Sequence, residues 1–187
     1  MKRLLLSLAV VTSTLSAAPD DFVRQLEEAA RVASIMIDGD LCQKIVTPRA
    51  MEFMFQTQPR DKWLASDNYD VDDAAFTAVK KTLIRISRLI SFPADANLWM
   101  PVAGRPDKIR IVIRNANEMS QFWPWGALYQ NMIPAMKKVL DSGRPLTVSE
   151  KPGWASVLAP VSNSLGDVVA LVEVASQRSA DAHANVK

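Results

Sequence analysis

From Phe22 the apolar positions fall at Leu26, Ala29 and Ala30, Ala33, Ile37, Leu41 and Ile45. Steps of three and four put them on one face of a helix, so the pattern predicts an amphipathic helix over residues 22–45. Asp20 or Asp21 can cap its start and Pro48 marks its end or a kink. Met51 and Phe55 suggest one more helical turn, followed by a polar loop over residues 56–73 that holds Trp63 and Tyr69. A second helix fits residues 72–90, with Ala75, Val79, Leu83, Ile86 and Ile90 on its face. After Phe92-Pro93 the period drops from 3.6 to 2. "ANLWMPV" reads as a strand, "GRPD" as a turn and "KIRIVIRN" as a strictly alternating strand. Its alternation sets Ile109, Ile111 and Ile113 on one face, and Arg110 and Arg114 together on the other. A helical excursion follows, with its helix at residues 133–140 closed by Gly143. "PLTV" gives a third strand, and residues 154–161 and 168–174 form a hairpin turned by Asn163, Ser164 and Gly166.

The order is helix, helix, two strands, a helical crossover, three strands. Short turns between neighbouring strands favour antiparallel pairing. The expected fold class is α+β: a five-stranded antiparallel sheet with the long N-terminal helix on one face and loops over the other.

The first residues change the reading of charge and compartment. Lys2 and Arg3 precede an apolar run from Leu4 to Val11, and small residues lead to Ser16-Ala17-Ala18 before Pro19. This is the layout of a secretory signal over residues 1–18, too short for a membrane span of about 20 residues. Cleavage would leave 169 of the 187 residues, enough for one domain over residues 19–176 and a disordered polar tail over 177–187. The sequence pI of 8.8 then has no bearing on partners. Without Lys2 and Arg3 the chain carries 20 basic and 20 acidic residues, so nothing electrostatic points to nucleic acid or to an anionic membrane. The expected compartment is the periplasm or the exterior, with no membrane span after cleavage.

Chemistry-bearing residues are sparse. The single cysteine, Cys42, sits between apolar neighbours and reads as a buried thiol; the single histidine, His183, lies in the tail. That leaves no triad base, no zinc cluster and no Cys-x-x-Cys-His for haem. Six dispersed glycines form no phosphate loop. "SDNYDVDD" lacks the glycine and distal glutamate of a calcium loop, and helix capping accounts better for its aspartates. No enzyme, metal or cofactor is expected.

The hairpin "WASVLAPVSNSLGDVVALVEV", at the end of this element order, resembles the closing pattern of the Cache family, the extracytoplasmic relatives of PAS sensor domains. The resemblance covers residues 21–176 and implies a PAS-like five-stranded antiparallel sheet packed on a long N-terminal helix, with a small-molecule pocket, covered by loop and helix, on the other face. In receptors of that family the chain runs on into a membrane helix and a signalling module; this one ends in a polar tail.

The expected function is therefore an exported, stand-alone sensing domain for a small molecule such as an organic acid or an amino acid. Arg110 and Arg114 would hold an anion, while Trp99, Trp123, Trp125, Tyr129 and Trp154 supply aromatic walls. A membrane receptor or signalling protein would be its partner, and a homodimer through the N-terminal helix is left open. The competing reading is a secreted structural module that docks a protein through the aromatic loop "QFWPWGALYQ".

Overall fold

The computed structural model describes residues 20–55, 71–123 and 127–178. The expected signal segment, the loop bearing Trp63 and Tyr69, Trp125 and His183 lie outside them. Within them the chain is α+β, with one antiparallel sheet of six strands rather than five.

The long N-terminal helix is two helices. α1 (Asp21–Met36) starts where the Asp20 carboxylate accepts from the Phe22 amide, at 3.2 Å. The chain leaves helical geometry at Ile37, and Asp38 caps a new helix, α2 (Gly39–Ile45), by accepting from the amides of Asp40 and Leu41. The hydrophobic spacing runs through this break, which is why periodicity alone merges the two. Gly39 is where the chain bends onto the sheet. A β-carbon there would lie 2.4 Å from the carbonyl oxygen of Ser162, so only glycine fits against that backbone. A short α3 (Pro48–Met54) begins with the Thr47 hydroxyl accepting from the Ala50 amide. α4 (Asp73–Ser87) is capped by Asp72, which accepts from Ala75 at 2.8 Å; this aspartate of the "SDNYDVDD" segment is a helix cap.

The strands are β1 (Asp95–Val102), β2 (Arg105–Ile113), β3 (Gln130–Asn131), β4 (Leu146–Val148), β5 (Trp154–Ser162) and β6 (Val168–Gln177), in the order β3-β2-β1-β6-β5-β4. α5 (Pro134–Ser142) lies in the crossover and closes on Gly143 at φ 61°. The two-residue β3 carries no hydrophobic alternation and was invisible to pattern reading. β6 extends through Gln177, and Arg178 donates its amide to Gly153 and pairs with Asp20, so the ordered chain runs past the expected boundary at 176.

Both faces of the sheet are buried. One face packs α1 and α4 on Ala96, Leu98, Ala155, Val157, Ala159, Ala170, Val172 and Val174. The other face gathers Trp99, Ile109, Leu158 and Leu171 beneath Phe122 and the Met136 and Val139 side chains of α5. Strands covered on both sides read as near-continuous apolar runs, as β5 and β6 do. No described helix is long and apolar enough to cross a membrane.

Candidate functional site

The β1–β6 ladder runs from Asp95–Ala175 to Trp99–Leu171 and stops there. Beyond it Met100 and Pro101 pair only with β2, while Val168 and Ala170 pair only with β5. The sheet therefore opens between its two central strands at this end. Pro101 lies past the ladder, where its missing N–H costs nothing.

Two β-bulges shape the opening. On β6, Val161 faces Ala170 and Ser162 faces Val168, which leaves Val169 as the extra residue. On β2, Leu98 faces Ile113 and Trp99 faces Ile111, which leaves Val112 extra. A bulge shifts the alternation of side chains by one. Val112 and Ile113 accordingly both join the helix-side core, whereas Ile111 packs with the opposite cluster.

This bulge corrects the expectation that Arg110 and Arg114 share a face. Arg110 lies opposite Met100, whose side chain belongs to the helix-side core, and directly opposed residues point the same way. Arg114, past the bulge, turns to the other face. Its guanidinium carbon sits 3.7 Å from the centre of the Trp123 ring and its Nη1 lies 3.5 Å from Glu118. No small anion can meet both guanidinium groups, and Trp123 cannot cover a ligand held by Arg110.

Arg110 lines a cavity of about 330 Å³ with Gln43, Val46, Met51, Met100, Pro101, Ala103 and Val169. Gln43 and Met51 come from α2 and α3 and Val46 from the link between them; Met100 and Pro101 come from β1, Ala103 from the β1–β2 turn, Arg110 from β2 and Val169 from β6. This cavity is on the helix side of the sheet, not beneath the aromatic loop as expected. Among the described residues Arg110 is its only charged lining residue. The Arg110 Nε is sealed from water and has no hydrogen-bond partner, and no carboxylate of the described residues pairs with its guanidinium. Burial lowers its pKa to about 10, so the group remains a cation at neutral pH. An unpaired cation in an apolar recess is costly for the isolated fold, and an anionic guest would relieve that cost.

The remaining candidates are dispersed. Trp99 is fully buried in the second core and donates its indole N–H to Glu173 at 2.9 Å. Tyr129 packs at 5.9 Å against Phe55, which Arg105 covers from 4.6 Å. Trp154 opens β5 opposite Gln177, at the far end of β6 from Val169, with the Lys151 ammonium 5.8 Å from its ring. Cys42 is buried in the helix-side core, where desolvation, aided by Asp38, pushes its thiol up to about 12. Such a thiol is a poor nucleophile.

The sequence reading missed a buried polar cluster on the face opposite α1 and α4. Glu173 is fully buried and accepts four hydrogen bonds. Trp99 Nε1 and Ser120 Oγ donate to Oε2, while the Gln121 amide and Ser156 Oγ donate to Oε1. Burial raises its pKa against the pull of these donors. Gln121 in turn donates to Ser156 Oγ and to the Val148 carbonyl, and accepts from the amides of Glu150 and Lys151. Asp95 and Asn97 fasten the same loop through Asn117, Met119 and Asn115. These bonds tie β6 to Trp99 of β1, Ser156 of β5 and Ser120 and Gln121 of the crossover, so the cluster is a clamp that holds the crossover on the sheet. Its signal in the sequence is a glutamate inside "VVALVEVAS", a place where a charge is stable only when fully bonded.

Comparison with protein-family models, with curated proteins and with solved structures finds no match to this chain.

Proposed function

We propose that the protein is an exported small-molecule-binding domain of PAS-like architecture that takes an organic anion on Arg110. The observation that carries this reading is the Arg110 guanidinium, which has no carboxylate partner among the described residues and whose Nε has no hydrogen bond, lining an apolar recess of about 330 Å³. That volume is at the small end of the range for ligand sites, about 300–1,000 Å³. A single antiparallel sheet with N-terminal helices on one face agrees with the Cache resemblance. The break between the central strands gives a guest access to the interior on the helix side, not on the face that the resemblance implies. The ligand's role is sensing or capture: the recess holds a cation to orient a guest, and among its described lining residues there is no nucleophile or base that would transform one.

The competing reading, docking through the aromatic loop, draws less support. Phe122 is buried and Trp123 lies beneath Arg114, so both rings are engaged within the molecule.

Amide chemical-shift mapping during titration with a panel of organic acids and amino acids tests the proposal. Perturbations are expected at residues 43–51, at 100–103 and around Val169, and they should vanish in Arg110→Gln. A panel that perturbs no residue there would remove the reading.

A further inference from the structure

The chemistry of the recess narrows the guest, on the reading that Arg110 is the anchor. Its lining holds one cation, one neutral amide (Gln43) and otherwise aliphatic, proline and thioether groups. Among the described residues no aspartate or glutamate lines it, so the ammonium of an α-amino acid would enter without an anionic partner from them. The described lining likewise offers no second cation for the far carboxylate of a diacid. Burying either charge unpaired is strongly unfavourable. Met51 and Met100 are unbranched and adaptable, and suit a flexible chain better than a rigid ring.

We infer that the recess binds an unbranched aliphatic monocarboxylate. Its carboxylate would lie on the Arg110 guanidinium and its chain along Met100, Pro101, Val46, Met51 and Val169. The volume has room for about eleven water-sized groups at roughly 30 Å³ each, which fits a chain of about four to eight carbons with its carboxylate. Because the carboxylate supplies the anchor, shortening the chain weakens binding by steps, whereas removing the charge abolishes it.

Four six-carbon probes, titrated by calorimetry into the intact protein, separate these features: hexanoate, norleucine, adipate and hexanol. Hexanoate is expected to bind tightest, with norleucine and adipate at least about tenfold weaker. Hexanol should be about 30-fold weaker or more, as should hexanoate on Arg110→Gln, since loss of one partner of a buried charged contact costs a factor of 30 to several thousand. Met51→Trp fills the recess from α3 and should block hexanoate with Arg110 intact, so it decides the matter if Arg110→Gln does not fold. Norleucine or adipate equal to hexanoate, with binding still lost in Arg110→Gln, would overturn the monocarboxylate inference and leave the Arg110 site standing. Hexanol equal to hexanoate would overturn the inference as well. No binding by any probe, or full hexanoate binding by Met51→Trp, would overturn both the inference and the site.

Discussion

Glu173→Gln gives the most direct test of how this fold is held together. The substitution keeps the size and shape of the side chain and replaces one oxygen by an –NH2 group. Each carboxylate oxygen of Glu173 faces a donor that cannot reverse: the Trp99 indole N–H at Oε2, and the Gln121 backbone N–H at Oε1. The Ser120 and Ser156 hydroxyls can rotate, but those two N–H groups can only donate. Whichever way the glutamine amide is turned, its –NH2 therefore confronts one of them. The conflict arises for either protonation state of the wild type, because a protonated carboxyl oxygen still offers a lone pair and an amide nitrogen does not. One buried donor left unsatisfied costs about 1–3 kcal/mol. With a urea m-value near 2 kcal/mol/M, the unfolding midpoint should fall by about 0.5–1.5 M. Trp99→Phe removes the conflicting donor on one side. The Glu173→Gln/Trp99→Phe double variant should then lose less than the sum of the two singles, by about 1 kcal/mol. A Glu173→Gln midpoint equal to wild type, or strict additivity in the double variant, would refute the reasoning.

The same residue sets a pH dependence. Burial raises the Glu173 pKa above the ordinary 4.5, so the native state holds its proton to higher pH than the unfolded chain does. Its stabilising contribution is complete below about 4.5 and is lost as pH climbs through the higher native value. The stability gap between wild type and Glu173→Gln should therefore narrow with rising pH in urea titrations; a widening gap would mean that the four donors outweigh burial. Gly39→Ala should destabilise by about 1–2 kcal/mol, although alanine is the better helix former. The added methyl would meet the Ser162 carbonyl and the Asn163 amide nitrogen at 2.4 and 2.7 Å, and backbone there cannot swing aside as a side chain would. Thermal unfolding at or above the wild-type midpoint would contradict this close approach.

Local pattern determined the element types in this protein. Spacings of three and four located α4 and the α1–α2 stretch as one helix, alternation located β2, and short apolar runs bounded by turn residues located β1 and the β5–β6 hairpin, because each pattern reflects only which faces of a segment are buried. The α+β class and the antiparallel pairing followed from the order and from the short turns. What the pattern could not carry was pairing register. The extra residue Val112 is ordinary in its sequence context, yet it places Arg110 and Arg114 on opposite sides of the sheet. The bulge exists only in relation to β1, so a rule read along one strand cannot detect it. The break at Ile37 depends in the same way on the β5–β6 turn, whose Ser162 carbonyl lies against Gly39. The candidate site was legible as an arginine on an apolar strand. Its recess was not, because it forms where the β1–β6 ladder ends and residues distant in sequence, from Gln43 to Val169, close around the gap. Burial of a charge is likewise a property of the assembled molecule: the sequence marks Glu173 as unusual, and only the fold shows that Trp99, Ser120, Gln121 and Ser156 converge on it.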